Sequence, residues 1–204
     1  MKAVLTALKK ALDELEPESL DLPTFRRAAV LVPLLDTPDG LELLYTVRSG
    51  NLSNHAGQIA FPGGRLDEGE DVVQAALRET FEEIGVRVAP ENVLGTLHEH
   101  PSPAKYIVTP VVAVLDWPQP LVLNEAEVTE TFSVPLGALL RLTPRTEERS
   151  HHGFTRTLHY YDYLETGTET KRVIWGLTGN VTKWVLEFVR PFYTDANSRL
   201  KIQD

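Results

Sequence analysis

The chain has 204 residues, 42% apolar and 24% charged, globular values that exclude wholesale disorder and fit one domain, taken as residues 1–204. Twenty Lys and Arg against 29 Asp and Glu give a net charge of −9, which speaks against nucleic acid as a partner because duplex binding needs a basic face. With no cysteine, disulfides, zinc–thiolate sites and thiol catalysis are excluded, and a cytoplasmic setting is expected.

Met1 to Glu16 sets Val4, Leu5, Leu8, Ala11, Leu12 and Leu15 between charged residues. That spacing predicts an amphipathic helix, and the charges leave no apolar run for a signal peptide. Residues 1–22 form a helical extension expected to pack on the domain. A homodimer contact or a membrane-surface role is the other use of its apolar face. No stretch approaches the roughly 18 uncharged apolar residues of a membrane span. Pro17 to Pro23 breaks this helix. Ala28–Leu35 reads as a buried strand, residues 37–40 (Thr-Pro-Asp-Gly) as a turn, and Leu41–Val47 as the returning strand. Ser49–Asn54 is a polar loop. Ile59–Phe61 is a short apolar run ended by Pro62, Gly63 and Gly64. Asp71–Ile84 is the clearest helix, stopped by Gly85. Leu94–His98 and Ile107–Leu115 read as strands, followed by an irregular stretch opened by Pro118 and Pro120. Leu136–Leu142 reads as a short helix, Thr155–Tyr163 as β-like, and Asn180–Val189 as a helix closed by Pro191. Trp184 and Phe188 are read as core of that last helix. His151 and His152 are read as surface loop, and residues 192–204 as a less ordered tail. Irregularly mixed strands and helices indicate an α/β domain with a mixed β-sheet.

On the helix 71–84, Val73, Ala76, Leu77, Thr80, Phe81 and Ile84 share a broad face that is expected to meet the core. Glu79, Glu82 and Glu83 fall on the remaining arc as neighbours at i, i+3 and i+4. Arg78 stands one turn before Glu82 and can pair with it. At about 5.5 Å and an effective dielectric near 20, each carboxylate pair repels by roughly 3 kcal/mol before water and salt reduce it. Two readings account for the cluster. One is a solvated acidic face. The other is a site for a hard divalent cation, Mg²⁺ or Mn²⁺, whose preferred ligands are oxygens. The glycines before the helix, Gly64 among them, let a backbone carbonyl approach the same ion.

The pattern Gly64-x5-Glu70-x7-Arg78-Glu79-x-x-Glu82-Glu83-x-Gly85-Val86 resembles the Nudix box, the signature of the Nudix hydrolases. Its one departure is Thr80, where the family prefers a bulky aliphatic. The Thr80 methyl can pack and its hydroxyl can bond the carbonyl of Ala76. The resemblance implies a Nudix fold, an α/β/α sandwich with a mixed sheet. It also implies cleavage of a nucleoside diphosphate linked to another moiety, with Mg²⁺ or Mn²⁺. By matching positions, Glu79, Glu82 and Glu83 are the implied metal ligands, Arg78 orients them and Glu70 supports them. Such a metal neutralises diphosphate charge, polarises the phosphorus centre and lowers the pKa of an attacking water.

Upstream, Leu43 to Ser49 followed by Gly57 and Phe61 to Gly64 looks like the motif that precedes the box in coenzyme A pyrophosphatases. Val108 to Val112 and Trp175 to Thr178 also look like that group. The second arginine of the motif is replaced by Ser53, so Arg48, His55, Arg65 and Lys105 are the remaining cations for substrate phosphate. The implied substrate is a small molecule, coenzyme A in free, acyl or oxidised form, cleaved to 3′,5′-ADP and 4′-phosphopantetheine. Arg48, His55, Gln58 and Arg65 are the implied substrate contacts, and Glu127, in a Glu-Val pair, the implied general base. Without the resemblance, Arg48 reads as a solvated strand end, His55 as a loop histidine bonded to backbone, Gln58 as a bridge within the loop, and Glu127 as a solvated loop carboxylate. The rival functions are the same chemistry on NADH, ADP-ribose or a nucleotide sugar, and a nucleotide sensor without turnover.

Overall fold

The computed structural model describes residues 2–50, 57–151 and 154–192. In chain order the elements are α1 (Lys2–Asp13), β1 (Arg26–Thr37), β2 (Gly40–Arg48), β3 (Ile59–Ala60), β4 (Gly63–Arg65), α2 (Val72–Ile84), β5 (Val93–Thr96), β6 (His100–Pro101), β7 (Tyr106–Asp116), β8 (Val128–Pro135), α3 (Leu136–Arg141), β9 (Arg145–His151), β10 (Phe154–Leu164), β11 (Lys171–Ile174) and α4 (Gly176–Val189).

β1 decides the layering because its side chains alternate between two cores. Ala29, Leu31 and Leu35 join Ala75, Ala76 and Ile84 of α2 and Val111, Ala113 and Leu115 of β7. Val32 and Leu34 join Val4, Leu8 and Leu12 of α1 and Val181, Val185 and Val189 of α4 on the other face. The result is helices on both faces of one sheet, the α/β/α sandwich. Burying each of the Val, Leu and Ile side chains among these contributes about 1.5–3 kcal/mol. The apolar face of α1 lies against its own chain, with Leu8 1% exposed.

The large sheet runs β3-β2-β1-β7-β5, with β4 added on β1, β6 on β7 and β8 on β2. β1 and β7 run parallel from Arg26–Tyr106 to Asp36–Asp116, while β1 meets β2 antiparallel, so the sheet is mixed. β1 also forks its pairing. Ala28 to Val30 face β4, whereas Leu34 to Thr37 face β2. Phe61 to Gly64 run through this fork beneath α2, and Leu31 donates its N–H to the Pro62 carbonyl at 2.8 Å. A smaller sheet, β11-β10-β9, packs against α4.

Several boundaries differ from the sequence reading. Gly63 and Gly64 do not merely end a strand; they continue as β4. A Cβ at Gly63 would overlap the Ala29 carbonyl oxygen, so only glycine lets β4 lie this close to β1. α4 begins at Gly176, four residues before the expected start. β8, β9 and β11 were not anticipated. Trp184 and Phe188 are half-buried against the core. His151 ends β9 rather than lying in a loop; its side chain, His152 and residues 193–204 lie outside the described residues. Among the described residues no helix is long and apolar enough to cross a membrane.

Candidate active site

α2 is fixed at both ends by local chemistry. Asp71 caps it, its carboxylate accepting from Gln74 N at 2.8 Å while Gln74 Oε1 accepts from Asp71 N at 3.0 Å, a reciprocal capping box. Gly85 ends it at φ 74, a left-handed conformation that a side chain disfavours. Val122 Cβ would lie 2.8 Å from a Cβ at Gly85, so the 121–127 loop packs directly on the helix end. Val122 and Asn124 donate their N–H groups to the Ile84 and Glu83 carbonyls at 3.0 and 2.9 Å.

Arg78 organises the acidic face. Its Nε donates to Glu70 Oε1 at 2.9 Å and its Nη2 to Glu70 Oε2 at 3.0 Å. Nη1 donates to Glu79 Oε1 at 2.9 Å and to Glu82 Oε2 at 3.0 Å. The other Nη2 hydrogen meets the Arg65 carbonyl at 2.9 Å. All five guanidinium N–H donors are therefore engaged. The pairing raises the Arg78 pKa and lowers that of Glu70. The expected Arg78–Glu82 pair is present, and Thr80 Oγ1 donates to the Ala76 carbonyl at 2.7 Å as anticipated.

Two positions on the helix reverse the wheel reading. Phe81 is 40% exposed and lies under the Arg87 guanidinium, 3.9 Å from its ring centroid. Glu83, placed on the solvent arc, is 2% exposed. The wheel assumed one covering surface, but the 121–127 loop and the sheet fork cover a second side of α2. Glu83 accepts a hydrogen bond from the Gly63 backbone, and Arg48 Nη1 stands 3.9 Å from its Oε1. Burial pushes the Glu83 pKa up to about 8, against the pull of Arg48 and with the push of Glu127 and Glu79. Burial also raises the Glu79 pKa, with Glu82 and Glu127 adding to the rise. Glu127 thus faces both carboxylates, and Asn124 Nδ2 holds its Oε1 at 3.3 Å.

A divalent cation fits this group by donor chemistry and by space. The donors are carboxylate oxygens, the hard type that Mg²⁺ and Mn²⁺ prefer. Glu79 and Glu82 converge on one nitrogen of Arg78, which shows that the backbone can bring both to a common point. A Cβ at Gly64 would overlap the Glu79 carboxylate, so the glycine cradles it. Among the described residues no three ligating groups already form a cage, because Arg78 holds Glu79 and Glu82.

A cavity of about 620 Å³ is lined by Arg48, Gln58, Ile59, Phe61, Gly63, His100, Arg149, Arg156, Leu158 and residues 175–178. That volume lies within the usual range for a small-molecule site. Arg48 Nε is buried there and unpaired among the described residues. Its guanidinium links the cavity to Glu83.

The NUDIX domain profile matches residues 25–158. The human mitochondrial coenzyme A diphosphatase NUDT8 is 41% identical over 169 residues, 80% of this chain and 70% of that protein. The chain belongs to the Nudix family. A Nudix hydrolase of Yersinia pestis, NudL, is 35% identical over 167 residues, 81% of each chain. A MutT/nudix family protein from Enterococcus faecalis has the same fold, with a TM-score of 0.52 at 20% identity, covering 88% of this chain and 65% of that one.

Of the residues singled out in the sequence, Glu79, Glu82, Glu83, Arg78, Gly64 and Glu127 lie together, Arg48 stands against Glu83, and Arg48 and Gln58 line the cavity. Arg65 does not line the cavity. Its side chain is exposed beside a separate recess with Arg26 and Arg27, and its carbonyl serves Arg78. His55 and Ser53 lie outside the described residues. Sequence reasoning missed Arg149, Arg156 and His100 on the cavity wall. The signal available was Trp175 to Thr178, which line that wall.

Proposed function

We propose that this Nudix hydrolase cleaves the diphosphate of coenzyme A, in free or derivatised form, to 3′,5′-ADP and 4′-phosphopantetheine, with Mg²⁺ or Mn²⁺. The observation that carries the reading is the carboxylate cluster around Arg78, reached through the Glu83–Arg48 pair from a cavity of about 620 Å³ that has an unpaired arginine nitrogen in its wall. The similarity to a coenzyme A diphosphatase supports the same substrate. Glu79, Glu82, Glu83 and the Gly64 carbonyl hold the cation, which when bound neutralises diphosphate charge and acidifies water. Arg78 positions Glu79 and Glu82 through its fork. Arg48 and Gln58 contact the substrate from the cavity wall. Glu127 takes the proton of the attacking water at Oε2, since Asn124 holds Oε1. The substrate is a small molecule; neither nucleic acid nor a membrane enters the reaction.

The test is a hydrolysis panel of coenzyme A, NADH, ADP-ribose and a nucleotide sugar, each with Mg²⁺, with Mn²⁺ and with EDTA. Metal-dependent release of 3′,5′-ADP from coenzyme A, well above the other rates, is expected, and Glu82→Gln should abolish it in a folded protein. The substitution of Ser53 for the motif arginine favours a second reading, the same chemistry on another nucleoside diphosphate derivative. Turnover of one of those substrates alone would establish it.

A further inference from the structure

Arg156 is a cation of the cavity wall that the reaction above does not use. It lies on β10, half-buried, in the wall of the 620 Å³ cavity. Among the described residues no carboxylate pairs with it, and burial alone acts on its charge, lowering its pKa. The other arginine on this wall differs. Arg149 is exposed and its Nε and Nη2 bind the two Glu147 oxygens at 2.7 and 3.1 Å. Arg48 leans on Glu83. The charged or titratable neighbour of Arg156 is His100, which burial and Arg156 hold neutral, its pKa pushed down to about 3. His100 cannot compensate a guanidinium.

A desolvated guanidinium without a counter-ion is costly. The cost is met when a ligand brings the anion. Arginine forks match phosphate oxygens bidentately. The diphosphate itself belongs at the carboxylate cluster, beside Arg48. Arg48 is already engaged by Glu83, whereas Arg156, on β10 of the small sheet, has no carboxylate partner among the described residues, which leaves it for a second anionic group. The same wall carries apolar Ile59, Leu158, Leu177 and Trp175, whose indole stacks on Tyr160 at 5.6 Å with the rings 3° from parallel and lies 5.6 Å from the Arg149 guanidinium. A phosphate monoester carried on a nucleoside fits that combination.

We propose that Arg156 forms a phosphate-monoester subsite in the cavity wall, distinct from the diphosphate site, that selects substrates carrying a third phosphate on the ribose. The inference rests on the coenzyme A reading, whose 3′-phosphate is that group. The subsite makes the enzyme discriminate coenzyme A from its dephosphorylated form, which keeps the scissile diphosphate and lacks only the monoester.

The experiment compares kcat/KM for coenzyme A and dephospho-coenzyme A in wild type, Arg156→Gln and Arg156→Lys. It adds calorimetric binding of 3′,5′-ADP and 5′-ADP in EDTA. Wild type is expected to prefer coenzyme A by about 10- to 100-fold, the usual worth of a charge-assisted phosphate pair. Arg156→Gln should bring the ratio close to one, mainly through KM, with Arg156→Lys between them. The preference for 3′,5′-ADP over 5′-ADP should collapse in parallel, which a folding defect would not produce selectively. A wild type that cleaves both coenzyme forms equally overturns the subsite and leaves the proposed reaction standing. A preference that survives Arg156→Gln also overturns it. A wild type that cleaves neither form sinks the reaction and the subsite together.

Discussion

Arg78 holds three carboxylates and one carbonyl with a single planar fork. Lysine carries the same charge but not the fork, so it cannot keep Glu70, Glu79 and Glu82 in register at once. Arg78→Lys is expected to lower kcat by about 10- to 100-fold, the usual effect of losing a residue that orients metal ligands. Steady-state kinetics with an unchanged far-ultraviolet dichroism spectrum would establish it; near-normal kcat would sink it. Glu83 gives a pH prediction. Unfolded, it titrates near 4.5; folded and without metal, near 8. Between those values the folded state binds the extra proton, so stability falls as pH rises. The raised Glu79 pKa acts in the same direction. The lowered Glu70 pKa acts only below 4.5, where stability is lost on acidification. Thermal melts in EDTA from pH 7 to 8.5, above the range in which the lowered His100 pKa acts in the opposite direction, are expected to show a declining midpoint that Glu83→Gln flattens. Equal slopes in the two proteins would refute the assignment. At this scale the carboxylates and Arg78 were legible from spacing. The exchange of Phe81 and Glu83 was not, because a helical wheel registers the sheet beneath a helix but not the loop folded over its flank.

Among the elements, α2 was the most legible because its limits are written in local chemistry: Asp71 and Gln74 at one end, Gly85 at the other. Asp71→Ala removes one side of the capping box and is expected to cost about 1 kcal/mol, read as a lower denaturant midpoint at constant m-value. An unchanged midpoint would mean that tertiary packing alone holds the helix start. The strands divide by the strength of their own signal. β8 carries a period-2 pattern, with Val128, Phe132 and Val134 buried, so its sequence was readable even though the acidic residues before it drew the eye. β9 has no such pattern. Residues 145–150 are exposed throughout, and the strand exists because its backbone pairs with β10 from Tyr160–Arg145 to Phe154–His151. Cross-strand contacts help, Tyr160 donating its hydroxyl to Glu147 Oε2 at 2.6 Å. A strand made by its partner leaves no apolar period to find, and Arg149 was missed with it.

Across the whole molecule, the parts proposed for catalysis and for binding sit on different layers. α2 and its carboxylates lie on one face of the large sheet, while the wall carrying Arg156 belongs to the small sheet docked on α4. The buried Asn180 side chain ties that wall to α4 and β6. Asn180 Oδ1 accepts from His159 N at 3.1 Å and from His159 Nδ1 at 2.9 Å. Its Nδ2 donates to the Thr157 carbonyl at 3.0 Å and to His100 Nε2 at 3.2 Å. His100 can accept because it is neutral and its Nδ1 hydrogen is given to the Pro101 carbonyl at 3.0 Å. Next to Asn180, a Cβ at Gly179 would overlap the His159 carbonyl, so α4 and β10 touch backbone to backbone. Asn180→Ala leaves the His159 N–H, the Thr157 carbonyl and His100 Nε2 without partners, at a cost of about 3 kcal/mol by the usual penalty for buried unpaired groups. The loss should loosen the hairpin β9–β10 without disturbing α2, which packs on the opposite face. Asn180→Ala is therefore expected to unfold at lower denaturant and, below that transition, to raise KM for coenzyme A several-fold while kcat stays within about twofold. Equal losses in kcat and kcat/KM would show instead that the two layers move as one body.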